Sequence, residues 1–203
     1  MTGFFVTIDG PSGIGKSTVT GMIAQRLTEH GYSAIATKEP TSTPLGNLVR
    51  FGTDEYQGLT LACLVAADRY QHLVNEIHPA LDAGHVVICD RYVASSLVLQ
   101  NLDGVPTDFV WQLNKHAQAP GLSVILTGEP TRAREQANRR GLYSRFHRGG
   151  LARTASEIEL YGHVAQALET AGWPVFVHHI RTESAHTVTD TLCAEILGRI
   201  SAC

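Results

Sequence analysis

The chain has 203 residues, 43% of them hydrophobic and 17% charged, with a formal net charge of −3; this length and near-average usage point to one folded domain and exclude a disordered or fibrous chain. No apolar run approaches the ~20 residues of a membrane helix, and the apolar run over 4–8 is too short for a signal peptide; the four cysteines (Cys63, Cys89, Cys193, Cys203) make no zinc or redox spacing, so the expectation is a reduced cytoplasmic protein with no membrane contact. The charge is uneven: 13 of the 16 cations are Arg, and seven of these lie within 132–153 beside one acid, Glu135, which makes that stretch +6 against −9 elsewhere and suits a local site for a compact polyanion better than a nucleic acid polymer.

Phe4–Asp9 reads as a buried strand running into a Gly-rich turn, and a helix follows over about 17–30 with Gly31 as its C-cap. A second strand over 33–38 ends at Glu39-Pro40. Apolar residues at Leu61, Leu64, Val65, Leu73, Val74, Ile77 and Leu81 predict a long helix over 59–82, closed by Gly84. Val86–Asp90, 122–127 and 174–178 are strands three to five, each preceded by a helical pattern, and a last helix covers about 185–200. Strands alternating with helices predict a parallel sheet covered on both faces, an α/β domain spanning 1–203. The Arg-rich stretch of about 141–153 has no apolar period and reads as a loop or lid.

Gly10-Pro11-Ser12-Gly13-Ile14-Gly15-Lys16-Ser17 is a complete G-x-x-x-x-G-K-[ST] match that leaves a strand and opens a helix, as a phosphate-binding loop must. Its glycines let backbone N–H groups turn toward phosphate oxygens, and the helix N-terminus, from Ser17-Thr18 onward, adds partial positive charge. Lys16 is then placed for the β- and γ-phosphates and the Ser17 hydroxyl for Mg²⁺. Asp90, at the end of an apolar strand, is a second Mg²⁺ candidate; a strand-end Asp also serves as a turn or capping residue, and the loop beside it favours the metal role. Guanine-reading motifs are absent: no Asp has Gly three residues on, and Asn114-Lys115-His116-Ala117 lacks the Asp of N-K-x-D. A small phosphotransferase remains, its lid arginines covering donor phosphates.

At these positions the chain resembles the thymidylate kinases, within the nucleoside-monophosphate kinases. The resemblance covers the phosphate loop through Thr18, Lys38-Glu39-Pro40-Thr41, Ala67-Asp68-Arg69, Asp90-Arg91-Tyr92 with Ser95-Ser96, Arg139-Arg140-Gly141 and Ser144-Arg145-Phe146. It implies a single P-loop kinase domain with a five-stranded sheet of order 2-3-1-4-5 and a homodimer packed through the long helices. It further implies Mg²⁺-dependent transfer of the ATP γ-phosphoryl group to a nucleoside monophosphate. Arg91 and Lys38 would hold the acceptor phosphate and Arg69 the pyrimidine edge. Glu39, Ser95 and Ser96 would line the acceptor site. Gly13 stands where one subgroup has a catalytic Arg, so the resemblance assigns that charge to the lid: Arg139, Arg140, Arg145 or Arg148.

The chain also departs from the family. Ser12 stands where the family usually has Asp, removing a carboxylate from the loop. Val65 replaces a Phe that stacks on thymine, and Leu99 replaces a Tyr that packs against the sugar. These changes imply an altered or broadened acceptor: dTMP or another pyrimidine nucleotide, a modified one included. Two other readings share the fold: a nucleoside kinase acting on a 5′-hydroxyl with Glu39 or Asp90 as base, and a non-catalytic nucleotide-binding protein.

Overall fold

The computed structural model describes residues 3–140, 145–148 and 150–201, without the side chains of Arg140 and His147. Five strands, β1 (Phe4–Asp9), β2 (Ala34–Lys38), β3 (Val86–Asp90), β4 (Leu122–Gly128) and β5 (Val175–Ile180), pair in parallel in the order β2-β3-β1-β4-β5. The expected sheet and strand order are thus both present. Every β3 residue is buried and β1 is buried from Phe5 onward, which is why both read as continuous apolar runs rather than alternating ones. Alternate β1 residues face opposite layers: Val6 and Ile8 pack with α1 (Lys16–Glu29) and α9 (Ala185–Ser201), through Ile23, Leu27, Leu192 and Ile196. Phe5 packs on the other side with Tyr92, Leu97 and Tyr161.

Register decides where the site lies. Ile8 is level with Asp90 in the β1–β3 pair, and Lys38 is level with Asp90 in the β2–β3 pair. The carboxyl ends of these three strands therefore end together, where the chain leaves β1 for either side of the sheet and ligands of open α/β sheets bind.

The long helix predicted over 59–82 is α3 (Gly58–His72), a π-turn (Leu73–Ile77) and α4 (His78–Asp82). Pro79 accounts for the wide turn: it has no N–H, and its ring crowds the carbonyl of Asn75 within that turn. Shorter helices α2 (Pro44–Phe51), α5 (Val93–Leu99) and α6 (Thr107–Leu113) pack among α3 and one another. α7 (Pro130–Arg140) and α8 (Gly150–Thr170) flank the lid.

The lid differs from the loop expected over 141–153. Arg145–Arg148 form a 3-10 turn, and α8 already begins at Gly150. The helix start escapes an apolar pattern because its first buried positions are Thr154, Glu157 and Tyr161, held by polar contacts. Residues 141–144 and 149, including Gly141 and Ser144, lie outside the described residues. No described helix is long and apolar enough to cross a membrane.

Candidate active site

A cavity of about 270 Å³ opens at the carboxyl ends of β1, β2 and β3. The phosphate loop forms one end. Gly10, Gly13 and Gly15 all have positive φ (146°, 82° and 105°), conformations an L side chain resists. At Gly13 a Cβ would also come within 2.0 Å of the Ala133 carbonyl oxygen on α7, so a side chain at this position is excluded by the lid-side helix. Pro11 and Ile14 are buried beneath the loop, and Ser17 and Thr18 are exposed on the first turn of α1.

Lys16 is buried, and its ammonium donates to the Pro11 carbonyl at 2.8 Å. Burial and the neighbouring Arg91 push its pKa down to about 7, against the pull of Asp90, Glu157 and Asp9. The Ser17 hydroxyl donates to Asp90 Oδ2, while Asp90 Oδ1 is buried without a hydrogen-bond partner. This is an oxygen pair beside the phosphate loop with one carboxylate oxygen left over, a hard-donor set suited to Mg²⁺.

Arg91 is a non-glycine residue with positive φ (73°), a strained conformation of the kind that gathers at functional sites. The strain is held in place by Asp9. This wholly buried carboxylate accepts from the Tyr92 and Ser95 amides, both at 2.9 Å, and from Ser95 Oγ at 2.6 Å. Arg91 Nη1 donates to Ser95 Oγ at 3.2 Å and to the Tyr161 hydroxyl at 3.4 Å, and Nη2 to Ser12 Oγ at 3.4 Å. Burial works against its charge, but the field of Tyr161, Asp90, Glu157 and Asp9 outweighs it and the pKa rises. The guanidinium thus lines the cavity as a permanent cation opposite Lys16.

Deeper in, Arg69 lines the same cavity with its donors nearly all engaged. Nε and Nη2 meet Glu39 Oε2, both at 2.8 Å; Nη1 donates to Asn114 Oδ1 at 2.5 Å, and Nη2 also to Ser96 Oγ at 2.9 Å. The guanidinium carbon lies 5.0 Å from the Tyr92 ring centroid. Glu39 Oε1 faces His72 Nδ1 at 3.3 Å. Glu39, His72 and Cys89 bring potential ligand atoms within 4.8 Å of one another. Because Arg69 already neutralises Glu39, we read them as a hydrogen-bonded support rather than a metal centre.

Lys38, Val65 and Leu99 also line the cavity. Ser95 and Ser96 do too, but each has its hydroxyl on an arginine: Ser95 on Arg91 and Ser96 on Arg69.

The lid arginines separate. Arg145 does not reach toward the phosphate loop. Its guanidinium forks onto both Asp103 oxygens, with Nη2–Oδ2 at 2.5 Å, and also donates to the Thr53 carbonyl. Arg148 pairs with Asp54. Both thereby fasten the lid to the segments around Thr53 and Asp103. Arg139 is exposed on α7 and does not line the cavity, and the Arg140 side chain lies outside the described residues.

Several contributors escape motif reading. Asp9 was legible only as a strand end, yet it holds the Arg91 turn. Gln100 is buried in the cavity wall with Oε1 unpartnered, so a carboxamide is free to read a ligand edge. Glu157 accepts the Ser12 amide at 3.2 Å from across the chain. Asp68, beside Arg69 in sequence, takes the Thr41 amide at 2.7 Å and the Thr41 hydroxyl at 2.6 Å, which fixes the loop after Glu39.

Comparison with known proteins accords with this geometry. The family model described as Thymidylate kinase matches residues 8–152. A protein of Pyrococcus abyssi named probable thymidylate kinase is 36% identical over 154 residues, 72% of this chain and 75% of its own. A probable thymidylate kinase of Pyrobaculum aerophilum is 34% identical over 174 residues, 84% of this chain and 86% of its own. A thymidylate kinase of Geobacillus thermodenitrificans is 38% identical over 139 residues, 64% of this chain and 62% of its own. The phosphate loop, the strained Arg91 turn and Arg69 at the far end of one cavity all fall within the matched segment, and the chain belongs to the thymidylate kinase family.

Proposed function

We propose that the protein transfers the γ-phosphoryl group of ATP to a pyrimidine nucleoside monophosphate, dTMP or a close relative, with Mg²⁺ held by Asp90 and Ser17. The observation that carries this reading is the placing of two cationic side chains, buried Lys16 and half-buried Arg91, around one cavity whose deeper wall holds Arg69 and Gln100. Arg91 suits the acceptor phosphate, and Lys16 suits the transferring group. A nucleotide monophosphate is already largely dianionic at neutral pH, its second pKa being about 6, so no strong general base is required. Positioning and charge neutralisation then carry the rate. Bound Mg²⁺ would supply neutralisation of charge between the donor phosphates.

Val49, Leu61 and Val65 give the cavity an apolar wall suited to a flat ring. Gln100 brings an unpartnered carboxamide oxygen to its edge, and Arg69, held by Glu39, Asn114 and Ser96, adds positive charge behind it. With Val65 in place of an aromatic platform, base stacking worth about 1–3 kcal/mol is absent. Leu99 leaves the sugar less tightly policed. We read the pocket as a pyrimidine site with relaxed discrimination. The nucleoside-kinase alternative is disfavoured because Glu39, one candidate base, is engaged by Arg69 and His72, and because Arg91 brings a second cation to the cavity, which suits an acceptor that already carries a phosphate. Retention of Lys16, Ser17 and Asp90 around the loop weighs against a non-catalytic role.

The homodimer belongs to the same reading. Cys63, Ala67 and Val74 make an exposed stripe along the long helix at helical spacing, with Val74 at 66% exposure. Sedimentation should give twice the chain mass, and Val74→Glu should halve it.

Phosphorus NMR of ATP, Mg²⁺ and dTMP with the protein tests the reaction. Growth of ADP and a second nucleoside diphosphate is expected. No transfer to any pyrimidine monophosphate, or transfer to thymidine in its place, would overturn the reading.

A further inference from the structure

Glu157 lies on α8 beyond the matched segment, and no motif assigns it a role. It is nevertheless buried, at 4% exposure, and its Oε1 accepts the amide of Ser12 in the phosphate loop at 3.2 Å. One helical turn later Tyr161 presents its hydroxyl 3.0 Å from Ser95 Oγ and 3.4 Å from Arg91 Nη1. Residues four apart share a helix face. The third side of the junction closes through Arg91 Nη2, 3.4 Å from Ser12 Oγ. A single turn of α8 therefore grips both the loop backbone and the Arg91 guanidinium.

A buried carboxylate needs compensation from charge and hydrogen bonds. Val164 and Leu168 continue the buried positions of the same helix, so packing alone would be served by an apolar residue there. The compensation comes from the site: burial pushes the Glu157 carboxyl up, and Arg91, Lys16, the Ser12 amide and Arg153 pull it down. Lys16 and Arg91 repel each other across the phosphate loop, and the loop carries Ser12 where the resemblance leads one to expect an acid.

We propose that Glu157 is a positioning residue for phosphoryl transfer: from α8 it holds the Ser12 peptide and supplies the counter-charge that keeps Lys16 and Arg91 ready for phosphates, the duty that the phosphate loop itself lacks an acid to perform. The proposal rests on the proposed transfer of an ATP phosphoryl group.

The test compares Glu157→Gln, Glu157→Val and the exchange Ser12→Asp with Glu157→Val. Binding of a fluorescent ATP analogue, kcat and KM for ATP, and thermal unfolding are measured on each. Analogue binding does not depend on the acceptor, so a wild type that transfers to no monophosphate would discredit the functional reading while leaving this one testable. Glu157→Gln removes the charge beside Lys16 and Arg91 while keeping the side-chain shape, so it should bind the analogue about tenfold more weakly and raise KM for ATP with a smaller change in kcat, with Tm nearly unchanged. Glu157→Val should lose more, and the exchange should recover most of that loss. Wild-type analogue affinity and wild-type KM for ATP in Glu157→Gln would overturn the proposal. So would an exchange variant with wild-type Tm as impaired as Glu157→Val. Should the exchange fail to fold, Glu157→Gln decides alone, because it keeps the side-chain shape and an oxygen for the Ser12 amide.

Discussion

Two donors of Arg69, Nε and Nη2, converge on the single oxygen Oε2 of Glu39 at 2.8 Å, leaving Oε1 for the ring of His72. Burial works against the Arg69 charge, yet Glu39 and Tyr92 more than offset it and the pKa is raised. The pair therefore sits deep in the acceptor cavity with its orientation set before any ligand arrives. Its geometry also removes Glu39 from consideration as a free general base.

Breaking this pair should be expensive. Glu39→Gln keeps the shape and strands a buried guanidinium, a loss of about 3–5 kcal/mol for pairs of this kind. Urea unfolding of the unliganded protein should show that loss, together with a raised KM for the acceptor and little change in KM for ATP.

Lys16 ties the stability of the unliganded protein to pH. Its pKa falls to about 7 from an ordinary 10.5 through burial and Arg91. Below pH 7 both folded and unfolded chains hold the proton, and the full penalty of a buried charge remains. Between about 7 and 10.5 only the unfolded chain holds it, so this contribution to stability rises with pH. Lys16→Met should accordingly raise the unliganded Tm most at pH 6, with the gain shrinking toward pH 10, and abolish transfer. Differential scanning fluorimetry across that range checks the sign.

The lid is latched on the acceptor side. Burial pushes the Asp103 carboxyl up, and the Arg145 fork with the Gly58 amide outweighs it, so its pKa ends below the ordinary value. The latch is thus complete at neutral pH and is lost as pH falls through the carboxylate range. A partly exposed pair is worth about 1 kcal/mol. Asp103→Asn should raise acceptor KM about fivefold with Tm nearly unchanged; an unaltered KM would show the latch to be idle.

Acceptor choice should respond to two residues. Val65→Phe restores a ring platform, a gain of about 1–3 kcal/mol by analogy with base stacking. Leu99→Tyr narrows the space beside the sugar. The double variant should raise kcat/KM for dTMP about tenfold and sharpen its preference over UMP, measured by coupled ADP release.

Much of this was legible in the sequence because its signals are local. The phosphate loop, the apolar strand ending in Asp90 and the Asp90-Arg91-Tyr92 turn each occupy a few consecutive residues, and the strand order follows from the family they mark. What stayed hidden depends on contacts between distant segments. Glu157 touches Ser12 across 145 residues, and Asp9 reaches Ser95 across 86. Charge counting placed seven arginines near the lid, yet nothing in that count distinguishes an arginine facing phosphates from Arg145 and Arg148, which pair with Asp103 and Asp54. The early start of α8 was masked for the same reason, its inward positions being polar.

The central claim is that a pyrimidine monophosphate accepts phosphate in the cavity between Lys16 and Arg69. Steady-state ADP release with ATP and Mg²⁺, measured over dTMP, dUMP, UMP, dCMP, CMP, AMP, GMP and thymidine, tests it most directly. The account predicts turnover of pyrimidine monophosphates with a shallow preference among them, and little with AMP, GMP or thymidine. Turnover of thymidine without dTMP, or of purine monophosphates alone, would contradict it.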